Sequence, residues 1–129
     1  MKKKILTTAL ILGVISIILG AFGAHALKKV LTPESLVSFE TGVRYQMYHA
    51  LFLLFVGMTD FISDKKKNII FILTLLGILF FSGSIYLLTT RNVTSIDISS
   101  IGFITPIGGM LLIVAWVVLL FGVLTNRGK

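Results

Sequence analysis

The sequence predicts an all-α integral membrane protein, a four-helix bundle with its N- and C-termini in the cytoplasm. Three observations lead there. Four apolar runs, 5–27, 37–62, 68–90 and 104–124, fill most of the 129 residues. Each is long enough to cross a hydrocarbon core about 30 Å thick, which takes roughly 20 residues of helix. Apolar residues make up 56% of the chain and charged ones 13%, with a mean hydropathy of +1.01. A soluble domain of this length cannot hide so much apolar side chain. The basic residues are also sorted. Lys2, Lys3 and Lys4 precede the first run, Lys65, Lys66 and Lys67 divide the second from the third, and Arg127 and Lys129 follow the fourth. If four runs alternate, these share one side, opposite Lys28, Lys29 and Arg91. The positive-inside rule puts the richer side in the cytoplasm. The whole chain, 1–129, reads as one transmembrane domain. Its net charge of +7 is then a topology signal with some pull on anionic lipid, and no nucleic-acid role is expected. With no cysteine, disulfides, thiolate chemistry and sulfur-ligated metals are excluded.

The first run carries Gly13, Gly20, Gly23 and Ala24. Gly20 and Ala24 form a small-x-x-x-small pair, expected to admit a neighbouring helix. A charged start followed by Ala24-His25-Ala26 also fits a cleaved signal peptide. The run is long for that, so a retained span is expected. Thr32-Pro33-Glu34-Ser35 signals a helix start, with Thr32 as cap, proline at the first position and an acid in the first turn. Leu36, Phe39 and Val43 share a face, which places the first turns of this helix in the outer interface. Asp64 and the three lysines are expected to make a tight cytoplasmic turn. Residues 91–103 form the one long loop, and Ile96, Ile98, Ile101 and Phe103 should fold it back on protein or lipid. Thr105-Pro106 repeats the cap-then-proline signal and opens the fourth helix.

Counting depth at about 1.5 Å per residue gathers the polar residues of all four runs in the outer half. His25 comes from the first; Glu40, Arg44, Tyr45, Tyr48 and His49 from the second. Ser82, Ser84 and Tyr86 come from the third, and Thr105, Gly108 and Gly109 from the fourth. On the second helix Tyr48, Tyr45, His49 and Gln46 sweep one arc, opposite Met47, Leu51, Leu54 and Met58. Glu40 and Arg44 are spaced for an i, i+4 ion pair, and Tyr45 and His49 for a phenol–imidazole bond. Polar groups in a bilayer face the bundle interior or a wet cavity, so one reading is an outward-facing pocket for a small solute, ion or lipid headgroup. The bared backbone at Gly108 and Gly109, beside the positive end of the fourth helix, would suit an anion. His49 is the group there whose ordinary pKa lies near neutrality. The other reading is a structural or accessory protein in which the same residues only bond helices together. Both stay open.

The strings GAFGAHAL, ETGVRYQMYHAL, FFSGSIYLL and ITPIGG, which start at Gly20, Glu40, Phe80 and Ile104, resemble the bacterial membrane family catalogued as domain of unknown function 423. The resemblance covers all four runs in order. It implies a multi-pass protein of the bacterial cytoplasmic membrane and carries no activity with it. Catalysis is not expected, because no paired carboxylates, metal-spaced histidines or Ser-His-Asp set appears. No cofactor or metal is expected: counted depth puts His49 about 9 Å below His25, too far for both to ligate one haem. The expected partners are membrane lipids and a second copy or another membrane protein.

The topology has a direct test. Reporter fusions at Lys129 should signal from the cytoplasm and fusions near Asp97 from outside; an external signal from Lys129 would invert the assignment.

Overall fold

The structure, a computed structural model, describes residues 2–126. In chain order it has helix α1 (Lys2–His25), helix α2 (Pro33–Met58) and helix α3 (Asp64–Thr89), then a short α4 (Arg91–Thr94) and helix α5 (Ile104–Leu124). Single 3-10 turns occupy Leu27–Lys29 and Ser99–Ile101. Arg127 and Lys129, two of the expected cytoplasmic charges, lie outside the described residues. The expected all-α membrane bundle is what forms. α1, α3 and α5 are each long and apolar enough to cross a membrane. α2 is equally long, at 26 residues, but it carries Glu34, Glu40, Arg44, Gln46 and His49. It packs between α1 and α3, and α5 packs on α3.

Local chemistry sets the helix ends. Thr32 Oγ1 accepts the Ser35 N–H at 3.1 Å and Pro33 takes the first position of α2, as expected. α2 stops at Met58, short of the expected 62, because Thr59 is already extended and Ser63 caps the next helix. Ser63 Oγ accepts the Lys66 N–H at 3.3 Å. Asp64 and the three lysines are therefore the first turn of α3, not the connection itself. Asp64 there complements the positive helix end. Thr105 caps nothing: α5 begins at Ile104 without a side-chain cap. In the connection before it, Ile96, Ile101 and Phe103 are exposed and only Ile98 is half-buried. That segment does not fold over the polar groups. Within it Asp97 Oδ1 accepts the Ser99 N–H at 2.9 Å. That bond holds the Asp97 carboxyl below its ordinary range.

α1 and α2 run antiparallel along a stripe of small residues. Ala9, Ser16 and Gly23 are buried, and a Cβ added at Gly23 would stand 3.1 Å from the Phe39 ring. Phe39 is 2% exposed, and Phe39 and Val43 turn to α1, against Gly23 and Gly20, rather than lying in the interface; Leu36 is half-buried. The expected Gly20/Ala24 pair is half right. Gly20 meets Val43, while Ala24 is exposed; the contact stripe steps by three and four residues and passes through Gly23 instead. Ile5, Ala9, Leu53, Val56, Ile70 and Ala115 form the centre of the apolar core.

The tightest approach joins α3 and α5. Residues Leu79–Gly83 of α3 form a π turn, and Gly108 of α5 lies directly on its backbone. An added Cβ at Gly108 would overlap Phe81 N and come within 2.6 Å of Phe80 C. At the next residue, Gly109, the nearest atom to an added Cβ is Phe81 Cδ1 at 3.6 Å. Gly108→Ala should therefore cost about 1–3 kcal/mol by overpacking against atoms that cannot move aside. Gly109→Ala should be near neutral. Unfolding of the purified variants in mixed micelles measures both, and equal stability would remove the helix contact from any account of the fold.

Candidate functional site

α2 sorts its polar residues between two faces. Gly42, Gln46, His49, Leu53 and Val56 step by three and four residues and are buried. Tyr45 and Tyr48 are 40% and 50% exposed, and Glu40 and Arg44 are exposed. Only part of the expected arc faces inward, because Tyr48 stands about 160° round the helix from Gln46.

The inward-facing groups bond one another. Gln46 Nε2 donates to Leu12 O of α1 at 2.9 Å. Its Oε1 accepts from the Tyr86 hydroxyl of α3 at 2.7 Å. Ser82 Oγ of α3 donates to Gly42 O at 2.7 Å. Ser84 and Thr105 join their hydroxyls and link α3 to α5. His49 Nδ1 lies 2.7 Å from Tyr45 O, and Trp116 Nε1 of α5 donates to His49 Nε2 at 3.0 Å. A carbonyl only accepts and an indole N–H only donates. Nδ1 therefore carries the proton, and the imidazole is neutral with both nitrogens satisfied.

Several expected pairings are replaced. His49 bonds the backbone of Tyr45, not its phenol. Arg44 Nη2 donates to Thr41 Oγ1 at 3.1 Å rather than pairing with Glu40. The Thr105 hydroxyl goes to Ser84, and Gly108 is occupied by the α3 backbone, so only Gly109 of that pair is open. His25 is exposed at the end of α1. Since Gly13 faces Ala50, His49 sits at the level of Gly13, and the two histidines are about 18 Å apart along the axis. That exceeds the counted 9 Å because α2 ends early, and it separates them further as shared ligands.

Between α2 and α5 lies a groove of about 390 Å³. α2 contributes Thr41, Tyr45 and His49; α5 contributes Gly109, Leu112, Ile113 and Trp116; Phe81 of α3 lies between them. Its walls are aromatic. Tyr45 lies 5.2 Å from Phe81 and 5.4 Å from Tyr48, ring centre to ring centre. Trp116 lies 4.3 Å from Phe52. One end is polar, with Thr41 and Tyr45; Arg44 does not line the groove but bonds Thr41 beside it. The other end is apolar, with Leu112, Ile113 and the Trp116 ring. A larger hollow, about 680 Å³, opens among Asp60, Ser63, Asp64 and Lys67 at the far end of the helices. It mixes both signs of charge and has no aromatic wall to orient a ligand. No group of three or more metal-ligating side chains occurs among the described residues.

Sequence reasoning missed Thr41, Phe81, Leu112, Ile113 and Trp116, and left Gln46 outside the candidate set. Trp116 did carry a signal. Tryptophan in spans favours the interfaces, and this one lies about 18 Å into α5.

Comparison with known proteins agrees with the architecture. The family described as "Protein of unknown function (DUF423)" matches residues 19–109. A UPF0382 membrane protein of Staphylococcus saprophyticus is 44% identical over 103 residues, covering 80% of this chain and 82% of that one. A UPF0382 membrane protein of Haemophilus influenzae is 38% identical over 124 residues, covering 95% and 94%. The UPF0382 inner membrane protein YgdD of Escherichia coli is 31% identical over 131 residues, covering 98% and 94%. No solved structure matches the chain.

The Gln46–Tyr86 bond can be isolated by a double-mutant cycle. Gln46→Leu and Tyr86→Phe should each destabilise, and their coupling should be about 0.6 kcal/mol, up to about 1.7, as for hydrogen bonds between spans generally. Additive losses in a micelle unfolding titration would show that the bond holds nothing together.

Proposed function

From the premise that the chain belongs to the DUF423 family of bacterial membrane proteins, we propose that it binds a membrane-dissolved amphiphile in the groove between α2 and α5. Its place is the bacterial cytoplasmic membrane, as the name of the Escherichia coli relative suggests, with both termini on the cytoplasmic side. The observation that carries the reading is the groove's polarity, which runs from Thr41, with Arg44 bonded to it, to Leu112 and Trp116 between aromatic walls. Ligand sites are concave and mostly apolar, with a few polar groups that orient the ligand. A water-filled pocket for a solute or ion fits less well. Gln46, His49, Ser82, Ser84, Tyr86 and Thr105 are already engaged in hydrogen bonds. The proposal includes no catalytic step.

A second reading draws on that same closed network. It links all four long helices, as a protein with a purely structural or accessory role would require. The two readings separate at the groove. Trp116 is the only tryptophan and lines it, so its fluorescence reports occupancy. A brominated fatty acid titrated into the micelle-solubilised protein should quench Trp116 saturably. Gly109→Leu, whose side chain would project beside Phe81, should weaken that binding about tenfold, or about 1.4 kcal/mol, while Gly109→Ala should bind normally. Quenching that never saturates, and that ignores Gly109→Leu, would leave the structural reading.

A further inference from the structure

We infer that the occupant of the groove is an anionic phospholipid of the surrounding bilayer, with its phosphate held by Arg44 and one acyl chain laid between Phe81, Leu112 and Trp116. The inference rests on the groove reading above and names its ligand class. Arg44 is aimed, not merely exposed. Thr41 Oγ1 donates to Val37 O at 3.1 Å and accepts from Arg44 Nη2 at 3.1 Å. The threonine hydroxyl thereby gives its one hydrogen to Val37 and holds one corner of the guanidinium beside the groove's polar end. Arginine has five N–H donors in a planar fork that matches a phosphate. One is committed to Thr41 and the others remain for a ligand. The nearest carboxylate along α2, Glu40, lies one turn away, and Arg44 bonds Thr41 instead. The cation thus has no countercharge among its bonded neighbours, in a segment where an uncompensated charge is costly.

Depth agrees. Arg44 stands about 21 Å above Met58, the inner end of α2. That is about 9 Å short of the far edge of a core about 30 Å thick, a gap that its long side chain largely spans by snorkelling. A phosphate drawn to Arg44 leaves its chain pointing down the groove toward mid-membrane, where Leu112 and Trp116 lie. The Tyr45 phenol lines the same end and supplies a further donor. A zwitterionic lipid offers the same phosphate with its own ammonium beside it. A lipid with net negative charge gains the full attraction of Arg44 and is the better ligand.

The test uses two lipids with identical brominated chains, a phosphatidylglycerol and a phosphatidylcholine, each titrated into the full-length protein with Trp116 as reporter. The wild-type protein should favour phosphatidylglycerol by about tenfold at low salt, with the preference shrinking as ionic strength rises. Arg44→Gln should abolish the preference and still allow quenching by the chain. Arg44→Lys, which keeps the charge without the fork, should restore part of it. Thr41→Val, which frees the guanidinium, should reduce it. Saturable quenching that is blind to headgroup, or a preference that survives Arg44→Gln, overturns the assignment and leaves the groove standing. No saturable quenching by either lipid overturns the groove reading, and this assignment with it.

Discussion

In hydrocarbon an apolar side chain gains little by turning from lipid to protein, since both surroundings are equally dry. Helices stay together there by close packing and by hydrogen bonds that lipid cannot offer. The contact of Gly108 with the backbone of Phe80 and Phe81 is the point where this chain meets that requirement most tightly. It is possible because α5 has no side chain there and because α3 is widened by a π turn over Leu79–Gly83. Such turns often occur at functional sites. Here the turn lets consecutive residues serve different partners: Phe81 faces the groove while Ser82 bonds Gly42 of α2.

The hydrogen-bond network follows from the same surroundings. A buried polar group without a partner is expensive when no water is at hand. Among the described residues only the Thr74 hydroxyl goes without one, Ser16 bonds back to Leu12 O of its own helix, and several others find partners across a helix boundary. Gln46 does so twice, bonding α1 through Leu12 O and α3 through the Tyr86 hydroxyl. His49 bonds its own helix with one nitrogen and α5 with the other. Each helix position is thus specified by direction as well as by shape, because hydrogen bonds tolerate misalignment poorly.

The groove is what this arrangement leaves between α2 and α5. α5 is drawn onto α3 by Gly108, and α2 is drawn to α1 by its stripe of small residues and to α3 by Ser82 and Tyr86. Between α2 and α5 the connection passes through side chains, the His49–Trp116 bond above all. A gap bridged by rings leaves room above the bridge, and that room is the groove. The exposure of Tyr45, Ile113 and Trp116 belongs to that lateral opening.

The sequence by itself determined the class of this protein, four helices of spanning length in an all-α membrane bundle. It also singled out His49, Ser82, Ser84, Tyr86 and Thr105, which take part in the interior bonds, and located the cap at Thr32. These are properties of single residues and of spacing along one helix, and hydropathy and rise per residue express them directly. The tertiary structure alone decided which polar groups meet. Tyr45 and Tyr48 sit on the expected helix, yet Gln46 and His49 take the interior. Arg44 turned to Thr41, Thr105 to Ser84, and Trp116 entered the site from a helix whose pattern offered only its depth. A span that is apolar all round has no moment to say which face turns inward. Rotation and register came from where glycines allowed backbones to touch, and that is a property of two helices together.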